Sequence, residues 1–156
     1  RLCQNNTEPQ RKEGFIMICK TYGDTLVVRL EKGEEILTGL LQACKQEGIT
    51  LASVTGIGAV EQATLGFYDL KQGKYLSREY TAGYEITSLV GNVTTMNGEP
   101  ALHLHMTIAG EDGVVYGGHL SQGVISVTGE IFLQKIPGTV EKRPDPVLGL
   151  NLMDLQ

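Results

Sequence analysis

Tryptophan is absent from the 156-residue chain and aromatic residues make up only 6% of it. No stretch approaches the ~18 consecutive apolar residues of a membrane-crossing helix, so a soluble chain without a membrane span is expected. A basic surplus is also missing. Thirteen Lys and Arg stand against eighteen Asp and Glu, a net charge of −5, which works against nonspecific grip on a polyanion. Cysteine is too sparse for a disulfide scaffold, since Cys3, Cys19 and Cys44 are odd in number and lack metal-ligand spacing. Cys19 in the run FIMICK and Cys44 on a helix face are expected as buried thiols. Three scattered thiols suit a reducing compartment, which makes the cytoplasm the expected location. Export is the alternative, because the chain opens without an initiator methionine. No Gly-x-Ser-x-Gly, no Cys/His arrangement and no obvious carboxylate pair marks a nucleophile or an acid/base couple.

What remains is the composition of one globular domain. Residues 1–13 are polar and aperiodic, as in a mobile arm, and residues 14–136 read as the domain. Residues 137–156, with Pro137, Pro144 and Pro146, read as an extended tail laid over this surface or that of a neighbouring subunit. One helix is expected over 34–47, with Ile36, Leu40 and Cys44 on its core stripe and Leu37 and Leu41 beside it. Glu34 and Glu35 would sit in its first turn, Lys45 in its last, and Gly48 would cap it. A strand at Leu26–Leu30 precedes the helix. The strands expected after it span 49–57, 60–70, 74–79, 84–95, 100–109, 113–120 and 124–135. Turn signals at Gln72-Gly73, Ala82-Gly83, Asn97-Gly98 and Asp112-Gly113 separate them, so an antiparallel meander of hairpins is expected. The fold class is therefore α+β, mainly antiparallel sheet with one principal helix packed on it.

The chemistry concentrates in the three histidines. In ALHLHMTIA the period of two puts Leu102, Leu104, Met106 and Ile108 on one face and His103, His105 and Thr107 on the other. AGEDGV then reverses the chain into VVYGGHL. A hairpin register with an even index sum, such as 222 or 224, would set His119 opposite His103 or His105; an odd sum would turn it away. Three neutral imidazoles meeting at one point suit a divalent metal with an open fourth position. Zinc is the first expectation, with nickel or copper admitted by ligand type, against the plainer alternative of a polar strand face without an ion. Gly117 and Gly118 would leave room beside the rings. Glu130 is the one candidate general base, should its face with Ser126 and Thr128 meet the histidines, although a solvated strand glutamate is the simpler reading. Arg29 and Arg78 read as ordinary surface charges. SVTGIGAV lacks the third glycine and the following helix of a dinucleotide loop, so a tight turn is expected there.

RLEKGEEI (29–36), SVTGIGAVEQATLGFYD (53–69), YEITSLVGNV (84–93), GEPALHLHMTIAGEDGVVYGGHL (98–120) and SVTGEIFL (126–133) resemble the PPC family, plants and prokaryotes conserved. The resemblance covers about residues 15–135, and the order GEP…HLH…GGHL…TGE is its most discriminating part. It implies a compact homotrimer built on an antiparallel sheet with a helix against it. It also implies, as in some prokaryotic members, an ion on His103, His105 and His119. Plant members accompany AT-hooks, and prokaryotic ones are commonly labelled predicted DNA-binding proteins, so a DNA-associated regulatory module is the alternative function. The chain has no Arg-Gly-Arg-Pro core of such a hook. The domain itself, at −5 per chain, would repel phosphate unless its charge were segregated.

Overall fold

The structure, a computed structural model, describes residues 17–156. The expected arm at 1–13 and Cys3 lie outside the described residues. The elements in chain order are β1 (Ile18–Tyr22), β2 (Thr25–Glu31), α1 (Ile36–Glu47), β3 (Ala52–Asp69), β4 (Lys74–Tyr80), β5 (Tyr84–Met96), β6 (Glu99–Ala109), β7 (Val115–Lys135), β8 (Lys142–Asp145) and β9 (Leu150–Met153). Every pairing between these strands is antiparallel. The chain is thus a mostly antiparallel sheet with a single helix among the described residues.

Local sequence accounts for most of these elements. TLVVRLE alternates, and Leu26, Val28 and Leu30 are fully buried while Arg29 between them is exposed. Each fully buried leucine contributes about 1.5–3 kcal/mol relative to an exposed one. The helix buries Ile36, Leu40, Ala43 and Cys44. It also buries Gly39, where a Cβ would lie 2.8 Å from the Leu30 side chain, so this glycine lets α1 settle close onto β2. Glu34 and Glu35 are not in the first turn. Glu35 is the N-cap itself, accepting from Leu37 N and Thr38 N, and its carboxylate also accepts from Gly123 N on β7. Glu34 is buried and accepts from Glu31 N. Gly48 closes the helix in the left-handed conformation, as expected. Cys19 and Cys44 are both buried, and burial pushes the Cys44 thiol up to about 11.

The expected meander is too simple. The sheet order is β1-β2-β7-β6-β5-β3-β4, and β3 pairs in addition with β7. The pairings β3–β5, β5–β6, β6–β7 and β7–β3 therefore close on themselves into a ring, with the apolar core inside it and under α1. Two long strands make this possible. β3 runs for 18 residues and β7 for 21, where two shorter strands were expected in each place. Gly56-x-Gly58 is not a turn but an irregularity inside β3. The register with β5 shifts there, and at Gly58 a Cβ would lie 2.2 Å from Thr128 O. The β5–β6 hairpin does turn at Asn97-Gly98, both with positive φ (53° and 78°), as a two-residue turn of the mirror-image kind requires.

Residues 137–156 do not run on as a single extended strap. They fold back as the hairpin β8–β9, held to β5 through Thr95, whose N–H donates to Val140 O and whose hydroxyl donates to the Glu141 carboxylate. Among the described residues no helix is long and apolar enough to cross a membrane.

Candidate metal centre

The β6–β7 ladder pairs His105 with His119, an index sum of 224, one of the even-sum registers that bring the third histidine onto the face of the other two. Leu104, Met106 and Ile108 are buried on the opposite face of β6, so the core fixes which way the imidazoles point. The ring centroids lie 5.2 Å (His103–His105), 5.3 Å (His103–His119) and 5.7 Å (His105–His119) apart. One nitrogen from each ring lies within 4.8 Å of the others, close enough that the three could hold a metal ion. Among the described residues no carboxylate or thiolate joins them.

Burial, with repulsion from Lys142 and from the other two imidazoles, lowers the affinity of His103 for a proton to a pKa of about 4. Burial, then His105 and Lys142, lowers that of His119 as well. Both rings are therefore neutral at pH 7, the state in which an imidazole offers a lone pair. The His119 Nδ1 atom is buried without a hydrogen-bond partner. Such an atom bears an uncompensated desolvation cost, which an ion bound to it would relieve. The donor set, three imidazoles, is one that zinc accepts readily. On both counts the residues fit a metal.

The surroundings of the rings come from four further elements. Tyr75 of β4 stacks on His119, and Tyr68 of β3 meets Tyr75 edge-on at 5.1 Å. The Tyr68 hydroxyl donates to Leu148 O, which ties the turn between β8 and β9 to this wall. Asn92 of β5 is the cross-strand partner of His103, and its Oδ1 is buried without a partner. Lys142 of β8 is half-buried and near enough for its charge to act on both His103 and His119.

Other expectations for the site need correction. Gly117 and Gly118 do not clear space for an ion. A Cβ on Gly118 would meet Gly66 O at 2.6 Å and one on Gly117 the Thr107 side chain at 2.9 Å, so the missing side chains are taken up by neighbouring strands. Gly91 has the same part on β5, where a Cβ would lie 1.9 Å from His103 O. Glu130 is not brought to the histidines. It lies beyond the stretch of β7 that pairs with β6, opposite Arg29 and Ile57, and lines a separate groove with Ile57, Thr87 and Thr128. Arg29 pairs with Glu31 at 2.7 Å on the surface, and Arg78 is exposed on β4. Tyr75, Asn92 and Lys142 had no sequence signal of their own. Their approach depends on β4, β5 and the tail returning to one place.

Comparison with known proteins matches residues 17–137 to the Plants and Prokaryotes Conserved (PCC) domain. The chain is 31% identical over 132 residues to the bifunctional protein GlmU of Synechococcus sp. (strain JA-2-3B'a(2-13)), which covers 83% of this chain and 20% of that one. It thus spans about a fifth of the length of the curated relatives it matches. Among solved structures it is similar to a candidate DNA-binding protein from Bacteroides thetaiotaomicron, at 32% identity and a TM-score of 0.86 over 88% of this chain and 96% of that one. It is also similar to a metal-containing protein from Archaeoglobus fulgidus, at 31% identity and a TM-score of 0.78 over 91% and 99% of the two chains.

Proposed function

The chain belongs to the Plants and Prokaryotes Conserved (PCC) domain family, and from that premise we propose that it binds one divalent metal ion, zinc first, through His103, His105 and His119. The observation that carries this reading is the convergence of three imidazole nitrogens within 4.8 Å, two of the rings held neutral by burial. The description of the Archaeoglobus fulgidus protein as metal-containing supports the metal, though not its identity. Bound there, zinc would supply a Lewis acid with a coordination position left for water or a ligand. The chain's own residues orient the three rings and shelter one side of them. Protein purified without chelators is expected to carry close to one metal per chain by elemental analysis. His105→Ala should lose the metal yet keep the fold, because His105 is exposed and the apolar face of β6 is untouched. No metal in the purified protein, and none after incubation with zinc, overturns the reading.

A homotrimer is part of the same proposal. Ile57, Val90 and Phe132 are exposed around one groove between β3, β5 and β7, with Val127 on a groove beside it, an apolar surface that a second and third copy would cover. A DNA-associated role is the second reading, favoured by the name of the Bacteroides thetaiotaomicron protein. Phosphate contacts would show as a steep fall of affinity with salt, and an acidic chain at −5 is expected to show no such binding.

A further inference from the structure

Lys142 is half-buried, yet among the described residues no carboxylate lies within ion-pair distance of its ammonium. Lysine is seldom withdrawn from water without a partner. Its sequence neighbour Glu141 does not serve, because that carboxylate is turned to the Thr95 hydroxyl and the Asn97 amide. The tail is tied to Thr95 of β5 just before Lys142 and, through Leu148 O, to Tyr68 beside the Tyr75–His119 stack. The hairpin that carries this lysine therefore lies against the histidine cluster, and its charge reaches His103 and His119. A divalent ion on the three imidazoles would add two further positive charges, and the cluster contains no acidic ligand to offset them. The result is a locally electropositive place on an acidic chain, with no carboxylate of the described residues set to neutralise it.

We propose that Lys142 and the metal position of His103, His105 and His119 together form a binding site for a small carboxylate. The inference rests on the metal reading above and extends it to a ligand class. One carboxylate oxygen occupies the open coordination position and the other faces the lysine ammonium, a charge-assisted contact. A singly charged carboxylate fits better than a phosphate. The cluster has a single lysine, and the nearby Arg143 is already taken up by Asp154, so no arginine fork is free to hold a phosphate.

Cobalt(II) in place of zinc gives a direct readout, because its visible absorption reports what occupies the coordination sphere. Cobalt-loaded full-length protein would be titrated with acetate and, separately, with inorganic phosphate, for the parent chain, Lys142→Met and Lys142→Arg. Acetate is expected to change the cobalt spectrum of the parent protein at lower concentration than phosphate. Lys142→Met should take up the same cobalt but bind acetate roughly tenfold more weakly, and Lys142→Arg should recover the affinity to within about threefold. If no cobalt is bound at the histidines, the metal reading fails and this inference with it. If cobalt is bound but acetate leaves its spectrum unchanged, or binds the parent and Lys142→Met equally, or phosphate binds more tightly than acetate, only the carboxylate site is overturned. The acetate and phosphate arms on the parent protein decide the matter even if Lys142→Met fails to fold.

Discussion

The ring of Tyr75 lies over that of His119, with centroids 4.7 Å apart and planes inclined by 28°. The contact holds the imidazole in one orientation from outside the β6–β7 ladder. Tyr75→Ala is expected to raise the metal dissociation constant about tenfold, as removal of a group that orients a ligand does, while the exposed edge strand keeps the fold intact. Tyr75→Phe preserves the stack and should bind as the parent does. Competition with a chromophoric chelator measures both, and equal affinity in the alanine variant would refute the bracing role.

Metal-free protein should lose stability as the solution is acidified. His103 titrates near 4 in the folded chain, against an ordinary value near 6.5. Above pH 6.5 the ring is neutral in both states and its contribution is complete. Between pH 6.5 and 4 the unfolded chain takes up a proton that the folded one refuses, so stability falls with pH and levels off below 4. His119 moves in the same direction. After discounting for a half-exposed group, the loss from His103 is about 1–2 kcal/mol. Urea melts at pH 7.5 and 4.5 on the parent and on His103→Gln isolate it. The same acid sensitivity in both proteins would count against it.

Gly91→Ala strikes fold and site together. The added Cβ would lie 1.9 Å from His103 O, a backbone atom with little freedom to retreat. The expected cost is about 3 kcal/mol or more, with weaker metal binding because β5 and β6 part directly under His103. Chemical denaturation with parallel metal titration checks both, and an alanine variant as stable as the parent would show that the strands yield easily.

Phe132→Glu tests the assembly. Phe132 lines the groove between β3, β5 and β7 at 48% exposure, so a charge there should not unfold the monomer but should oppose burial against another copy. Light scattering is expected to give about three times 16.9 kDa for the parent and a mass near 16.9 kDa for the variant. A parent already at the single-chain mass would refute the trimer.

The sequence disclosed the helix, its stripe and its glycine cap through spacing alone. The alternation in ALHLHMTIA placed the imidazoles opposite Leu104 and Met106, and parity left only a choice of sums for His119. What it withheld was long-range. Nothing near Gly56-x-Gly58 distinguishes an irregularity within an 18-residue strand from a turn, because the difference lies in Thr128 passing alongside. Glu130 looked eligible by face, but strand alternation says nothing about how far along β7 the ladder with β6 extends. Lys142 was hidden most completely. It reads as one more tail charge until Thr95 draws the hairpin β8–β9 back against β5.

A circuit of strands has no loose margin along which one ribbon can creep past the next. For β6 to slide a single residue against β7, at least one of the seams β5–β6, β3–β5 and β3–β7 would have to slip by the same step, the last of them a pairing that runs out to Ala52 with Lys135. The three imidazoles are thereby kept in phase by backbone contacts remote from them, and heating should scatter them only when the whole circuit gives way.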